Sequence, residues 1–291
     1  MEILTNYTFQ IVALGSVILA VAAAPVGAFS VYKGQSLIGD AIGHATFPGI
    51  ILAYMAFATR SPVVLLMGAI VAGAASYALI QLAHRDKRLG LDANLAIFLS
   101  GFFGLGMALK SFIQGNPDYA GASQAGLGTY IFGQAAYMLE ADVLLIAVVS
   151  ALVLTLLLLF YKELKLFVFD AEYAEVVGLP CRLLNILLLI MTIAVIGIGI
   201  KSVGAILISS FLIIPCVAAN QWSNHLSRVL VLSSLIGAVS ALIGTYISTL
   251  EQGMSTGPSI ILVASLIAFF SMLFGTKGLL VRTLKRRKTN G

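Results

Sequence analysis

Residues 143–161 read VLLIAVVSALVLTLLLLFY, a stretch that contains no Asp, Glu, Lys or Arg. A helix needs about 20 mostly apolar residues to cross the hydrocarbon core of a bilayer. This stretch is long enough, and its composition leaves it no polar face to turn towards water. We therefore expect residues 143–161 to form a membrane-spanning helix.

The rest of the chain repeats this pattern. Only 10% of the 291 residues are charged and 60% are hydrophobic, whereas a soluble domain is about 25% charged. The pattern predicts an all-α, polytopic transmembrane helical bundle of about eight or nine spans, the number depending on whether Gly204 and Pro215 break the segment 202–220. The other charge-free stretches are 3–32, 41–59, 61–84, 93–109, 183–200, 202–227, 229–250 and 252–276.

Domain organisation and orientation follow from the charges. We expect one transmembrane domain over residues 1–281 and a basic tail over 282–291 that touches anionic lipid and does not bind nucleic acid. The first apolar stretch is interpreted as a retained helix and not a removed signal peptide. If the Arg85–Arg88 loop is cytoplasmic, most basic residues fall on that side, which places the N-terminus outside and the C-terminus in the cytoplasm.

One acidic residue differs from the other eleven, which lie in loops, at the chain start or at segment ends. Asp40 lies in SLIGDAIGHATFPG, residues 36–49, well inside the second apolar segment, where an ionised carboxylate costs roughly 2.5–3.5 kcal/mol at a helix centre. His44 follows four residues later, on the same helix face. An oxygen and a nitrogen ligand together suit Mn, Fe or Zn, so the pair predicts a metal path. The alternative is a neutralised structural pair that joins two helices.

Three small or rigid residues surround this pair. Pro48 has no N–H, so the carbonyl of His44 loses its usual helical partner, and we expect it to complete part of the coordination or to permit a hinge. Gly39 and Gly43 have the spacing that lets another helix approach closely. Pure helix packing is an equally good interpretation of the two glycines.

The chain has no glycine-rich phosphate-binding loop, so we expect no catalytic residue, no cofactor and an energy source in a partner or an ion gradient. A connector near residue 170 could receive such a partner. Asp170 is placed to cap a short helix, and Gly178 and Pro180 are placed to end it. Its apolar side would carry Tyr173, Val176 and Val177; an ordinary amphipathic connector is the alternative. The Gly- and Tyr-rich segment 114–140 could be a docking loop or a gate.

The ordered set of motifs resembles the permease subunits of metal-type ABC importers, which carry manganese, zinc or iron. The most specific match is Gly39-Asp-Ala-Ile-Gly-His-Ala45 followed by Pro48-Gly49. The match extends along nearly the whole chain, and its further elements are Phe132-Gly133 with Asp142, Phe169-Asp170 with Glu172, Ala174 and Gly178, Val203-Gly204-Ala205 with Ile213-Ile214-Pro215, and Gly257-Pro258.

This resemblance implies a homodimer of the chain in the cytoplasmic membrane of a bacterium, with two cytosolic ATPase subunits and an extracytoplasmic metal-binding protein. It implies that Asp40 and His44 lie on the metal path, and it favours Mn(II) as cargo over Zn(II) or Fe(II). It also implies that the segment 170–178 is the coupling helix, with Asp170, Glu172, Tyr173, Glu175 and Gly178 facing the ATPase.

Two other classes compete with this interpretation. A proton-driven secondary transporter would use Asp40 and His44 as a proton relay and often shows an internal repeat, and no convincing repeat of the motif is found. An intramembrane zinc protease would need a His-Glu-x-x-His pair, which the sequence lacks.

Overall fold

The computed structural model describes residues 6–59, 61–84, 90–116, 119, 138–250 and 254–281. These residues contain helices and no strand, which confirms the all-α prediction. The helices are α1 (Tyr7–Tyr32), α2 (Ile38–Phe57), α3 (Pro62–His84), α4 (Leu91–Gly115), α5 (Glu140–Leu159), α6 (Tyr161–Phe169), α7 (Ala171–Val176), α8 (Cys181–Val203), α9 (Ala205–Asn220), α10 (Leu226–Leu250) and α11 (Thr256–Phe274).

Each charge-free stretch of the sequence coincides with one long helix, but not every helix can cross a membrane alone. Among the described residues, seven helices are long and apolar enough to do so. Of the nine helices on the charge-free stretches, the two that do not qualify are α2, which carries Asp40, His44 and Pro48, and α9, which has 16 residues. The prediction of eight or nine spans is therefore one or two too high, because absence of charge alone does not ensure sufficient length or hydropathy.

The predicted break near residue 204 is present. Gly204 has φ +89° and separates α8 from α9. A side chain would strain the backbone at this positive φ, so glycine permits the interruption. Helix α9 then continues through Pro215 to Asn220.

Helices α1 and α2 form the centre of the bundle. Helix α1 packs against α5, α8, α9 and α10, and α2 packs against α3, α4, α8 and α9. Glycine sets the closest approach: a Cβ on Gly49 of α2 would lie 2.3 Å from the carbonyl oxygen of Gly68 on α3. The residues around Asp40 and His44 are therefore held on a buried helix that four neighbours surround.

Several predicted features lie outside the described residues. They include the basic tail 282–291, the Arg85–Arg88 loop and most of the segment 114–140 with Phe132-Gly133. The domain boundary at residue 281 and the role of that segment stay predictions.

Candidate functional site

Asp40 and His44 lie on the same face of α2, as the four-residue spacing predicts. The distance from His44 Nε2 to Asp40 Oδ1 is 3.6 Å. The His44 side chain is 12% exposed and that of Asp40 is 29% exposed. Both groups are thus mostly withdrawn from the surface, yet the carboxylate keeps an open side.

Asp40 lies near one end of α2. The sequence places it well inside an apolar segment, but in the structure Asp40 occupies the first turn of α2, which begins at Ile38. The unpaired N–H groups of a helix N-terminus carry partial positive charge and stabilise a nearby carboxylate. These N–H groups therefore offset part of the cost of an ionised carboxylate at Asp40.

Two neighbouring helices complete the surroundings of the pair. The hydroxyl of Ser209 on α9 donates a hydrogen bond of 2.9 Å to Asp40 Oδ1. The ring of Phe103 on α4 meets the His44 imidazole edge-on, with 5.1 Å between the ring centroids. His44 Nδ1 is buried and makes no hydrogen bond within the described part of the chain. The other ring nitrogen, Nε2, is the one that faces Asp40.

The spacing of the pair fits one metal ion. Metal–nitrogen and metal–oxygen bonds of about 2.1 Å would span the 3.6 Å gap with an angle of roughly 120° at the ion. Neither side chain has to move for this. Across the described residues, no group of three or more His, Cys, Asp or Glu side chains could hold a metal. Two protein ligands and a nearby hydroxyl form a weak site that can release its ion.

The small residues of the motif are all buried in α2. A Cβ on Gly39 would lie 2.9 Å from Leu212 Cδ1, so this glycine faces α9 at close range. Gly43 is buried, and its carbonyl accepts a hydrogen bond of 2.6 Å from the Thr46 hydroxyl. Pro48 is buried within α2, and the helix continues past it to Phe57. Their role in transport stays a prediction.

The short helix expected after Asp170 is present as α7. Asp170 Oδ1 accepts a hydrogen bond of 2.9 Å from the backbone N–H of Tyr173, and Gly178 turns the chain with φ +88°. Ala174 is fully buried against the bundle. The other predicted coupling residues, Glu172, Tyr173 and Glu175, are exposed, and so are Val176 and Val177. Helix α7 therefore presents a mixed apolar and acidic surface that no described residue covers.

Helix α7 does not lie beside Asp40, but the chain links the two regions through Lys33. Lys33 follows α1 and precedes α2, its ammonium donates to the side-chain oxygen of Asn185 on α8, and it lies 4.8 Å from the ring centroid of Phe167 on α6. Asn185 in turn donates to the hydroxyl of Tyr77 on α3 at 2.7 Å. Burial lowers the pKa of Lys33 to about 8.

Sequence reasoning missed Ser209 and Phe103. A serine among aliphatic residues of a membrane helix needs a partner for its hydroxyl, so Ser209 could have been recognised as polar contact but not as a contact to Asp40. Phe103 carries no such signal, because an aromatic residue in an apolar helix is unremarkable in sequence.

Comparison with known sequences gives a consistent picture. Residues 5–275 match the sequence profile of the ABC 3 transport family. The chain is 38% identical to the zinc transport system membrane protein TroC of Treponema pallidum (strain Nichols), over 100% of this chain and 97% of that protein. It is also 38% identical to the manganese transport system membrane protein MntC of Bacillus subtilis (strain 168), over 97% of this chain and 65% of that longer protein.

Comparison with solved structures supports the fold. The structure titled PsaBC from Streptococcus pneumoniae in complex with Fab superimposes with a TM-score of 0.84 and 28% identity, over 97% of this chain and 96% of the other. An inward-facing conformation of a putative metal-chelate type ABC transporter gives a TM-score of 0.65 at 17% identity, over 92% of this chain and 82% of the other, and shows similarity of fold alone.

Proposed function

Since this chain belongs to the ABC 3 transport family, we propose that it is the membrane-spanning subunit of an ATP-driven importer for a divalent transition metal. The observation that carries the proposal is the Asp40–His44 pair, 3.6 Å apart on one face of a buried helix. The Ser209 hydroxyl on Asp40 adds to it. Similar proteins are named for zinc and manganese transport.

Mn(II) is the proposed cargo. The donors at hand are a carboxylate, an imidazole and a hydroxyl, and oxygen-rich sets suit Mn(II). Zn(II) is the second candidate, because a carboxylate and an imidazole also bind zinc and one similar protein is named for it. Fe(II) takes the same donor types. The ion is cargo and not a resident cofactor, which agrees with a site of few protein ligands.

The proposed complex contains two copies of this chain, two cytosolic ATPase subunits and an extracytoplasmic metal-binding protein. It lies in the cytoplasmic membrane of a bacterium with the N-terminus outside. The binding protein delivers an ion to the outer mouth of the dimer, and the ion passes Asp40 and His44. ATP-driven closure of the ATPases pushes the exposed α7 helices and changes the side to which the path opens.

The test is whole-cell Mn, Zn and Fe content, measured by mass spectrometry in cells that lack the native system. The cells express the complete transporter with wild-type chain, Asp40→Asn, His44→Gln or the control His225→Gln, at equal membrane levels. His225 is exposed and precedes α10, so its variant should accumulate metal like wild type.

We expect wild type to raise Mn selectively and both site variants to abolish the rise. A selective rise in Zn or Fe would keep the importer and change the cargo. Accumulation by Asp40→Asn equal to wild type would mean that the pair is structural. Transport by the purified chain alone under a pH gradient would instead support a proton-driven transporter.

A further inference from the structure

An apolar groove opens between α5 and α10. Both helices pack against α1, which forms the groove's floor. The groove has a volume of about 480 Å³, within the range of ligand-binding cavities. Its walls include Leu154 and Leu158 of α5 and Val231 and Leu235 of α10. Leu158, Val231 and Leu235 are each more than half exposed, so the groove opens on the outer face of spanning helices.

The floor of the groove contains one backbone carbonyl that lacks its helical donor, that of Val21, and this carbonyl has another hydrogen-bond partner. Pro25 of α1 lines the groove and, having no N–H, leaves the carbonyl of Val21 without its helical donor. The hydroxyl of Ser234 on α10 donates a hydrogen bond of 3.1 Å to that carbonyl. The groove therefore offers hydrocarbon walls to an occupant and little to hold water.

The length of the groove matches one leaflet. Its lining along α10 runs from Ser227 to Ala238, which is about 16 Å at a rise of ~1.5 Å per residue. The hydrocarbon core of a bilayer is about 30 Å thick. The groove thus begins near the end of the bundle where α5 ends and α10 begins, and it reaches the membrane's middle.

Aromatic and polar residues line the mouth of the groove, and basic residues adjoin them in the chain. Tyr161 and Ser227 line it there, and each is followed directly by an exposed cation, Lys162 and Arg228. Glu163, the next residue after Lys162, is partly buried. Tyrosine and basic residues are typical of the membrane–water interface, where they meet lipid headgroups. An acyl chain in the groove would place its phosphate at this mouth.

We propose that this groove is a binding site for one anionic phospholipid, with an acyl chain between α5 and α10 and the headgroup at Lys162 and Arg228. A hydrocarbon chain is the occupant that a membrane-facing apolar groove of one-leaflet length can take, and the two exposed cations next to its mouth in the chain select its charge. The site is separate from Asp40 and His44 and does not depend on the cargo.

The test is native mass spectrometry of the purified chain after exposure to equimolar phosphatidylglycerol and phosphatidylcholine with identical chains. We expect wild type to retain one molecule of phosphatidylglycerol. The population carrying phosphatidylglycerol should exceed that carrying phosphatidylcholine by at least fivefold. The double variant Lys162→Gln/Arg228→Gln should lose this preference, whereas Lys165→Gln, exposed on the same helix α6, should keep it. The charge variants lie on the surface and leave the core intact.

A second pair of variants locates the lipid. Leu235→Trp fills the groove and should remove the retained lipid, and Leu242→Trp, on the same helix outside the groove, should not. Retention by Leu235→Trp, provided that it unfolds at the wild-type temperature, would overturn the proposal. Equal retention of both lipids by wild type would also overturn it, as would a dimer that Leu235→Trp alone dissociates, because the groove would then hold a second copy of the chain.

Discussion

At the residue scale, the contact between Ser209 and Asp40 makes a direct prediction. The Ser209 hydroxyl fixes the carboxylate oxygen that faces His44, and a hydrogen bond to a charged group contributes about 1.5 kcal/mol. Ser209→Ala should therefore raise the metal concentration for half-maximal uptake about tenfold. Ser209→Thr keeps a hydroxyl and should stay near wild type. Measured initial rates of radioactive manganese uptake that are identical for Ala and wild type would remove Ser209 from the site.

Pro48 provides a second test. If the carbonyl of His44 takes part in coordination or α2 bends there, Pro48→Ala restores the missing N–H and should lower uptake or change the ratio of Mn to Zn accumulated. Metal content in cells expressing Pro48→Ala measures both. Unchanged uptake and an unchanged ratio would show that Pro48 serves packing alone.

Sequence could predict the Asp40–His44 pair but not what surrounds it. The spacing of four residues determines that the two side chains share a helix face, and the structure has them there. The contact to Ser209 joins residues 169 positions apart. It depends on how α9 crosses α2, which is set by packing and has no local signature in the chain. The position of Asp40 along its helix depended on where α2 begins, and helix boundaries are poorly determined by composition.

At the scale of helices, the contact of α2 with α3 depends on glycine. A Cβ on Gly49 would lie 2.3 Å from the Gly68 carbonyl oxygen, so Gly49→Ala should force the helices apart and destabilise the chain by about 1–3 kcal/mol. Gly101→Ala on α4 is the matched control, because nothing lies within 4 Å of a Cβ there and alanine favours helix. Thermal unfolding in detergent should show a lower midpoint for Gly49→Ala alone. Equal midpoints would contradict the predicted clash.

A substitution on the exposed face of α7 can test binding of the ATPase without changing the stability of the chain. Val176 is 83% exposed, so Val176→Asp should leave the thermal midpoint unchanged, since surface substitutions usually have small effects. If this face binds the ATPase, the variant should reduce co-purification of the ATPase and abolish metal uptake. A variant that co-purifies ATPase and transports like wild type would show that α7 is an ordinary connector.

A helix whose ends are marked by single residues could be predicted from the sequence. The membrane spans, which depend on the length and hydropathy of a whole segment, could be predicted less well. Asp170 and Gly178 mark the ends of α7 through a side-chain cap and a positive φ, both properties of single residues. The number of spans depends on whether α2 and α9 qualify. Asp40, His44 and Pro48 reduce the hydropathy of α2, and Gly204 shortens α9. Burial by neighbouring helices holds these two in place, and a single segment of sequence does not reveal its neighbours.

At the scale of the whole molecule, Lys33 connects the start of α2 with α6 and α8. Its pKa is lowered to about 8 by burial, below the usual value of about 10.4. Between these two values the unfolded chain binds more protons than the folded chain, so stability should rise with pH across this window. Lys33→Met should lack this rise, while other lysines and tyrosines titrate alike in both proteins.

The measurement is the thermal midpoint of wild type and Lys33→Met at about pH 7 and about pH 10, a range that brackets the shift. The thermal midpoint of wild type, relative to that of Lys33→Met, should increase as pH rises. Parallel midpoints would mean that the ammonium beside Asn185 and Phe167 pays no penalty for its burial.

The hydrogen bond that joins Asp40 to Ser209 also determines how a cargo ion experiences the membrane potential. In the proposed orientation Asn220 ends α9 at the cytoplasmic side, and Ser209 lies 11 residues before it, about 16 Å at a rise of ~1.5 Å per residue. An ion arriving from outside therefore crosses roughly half of the ~30 Å core before it reaches Asp40. One charge that crosses 100 mV gains about 2.3 kcal/mol, so a divalent ion gains about that much on reaching the site. The inside-negative voltage of a cell would therefore assist both the loading of this site and the final step into the cytoplasm.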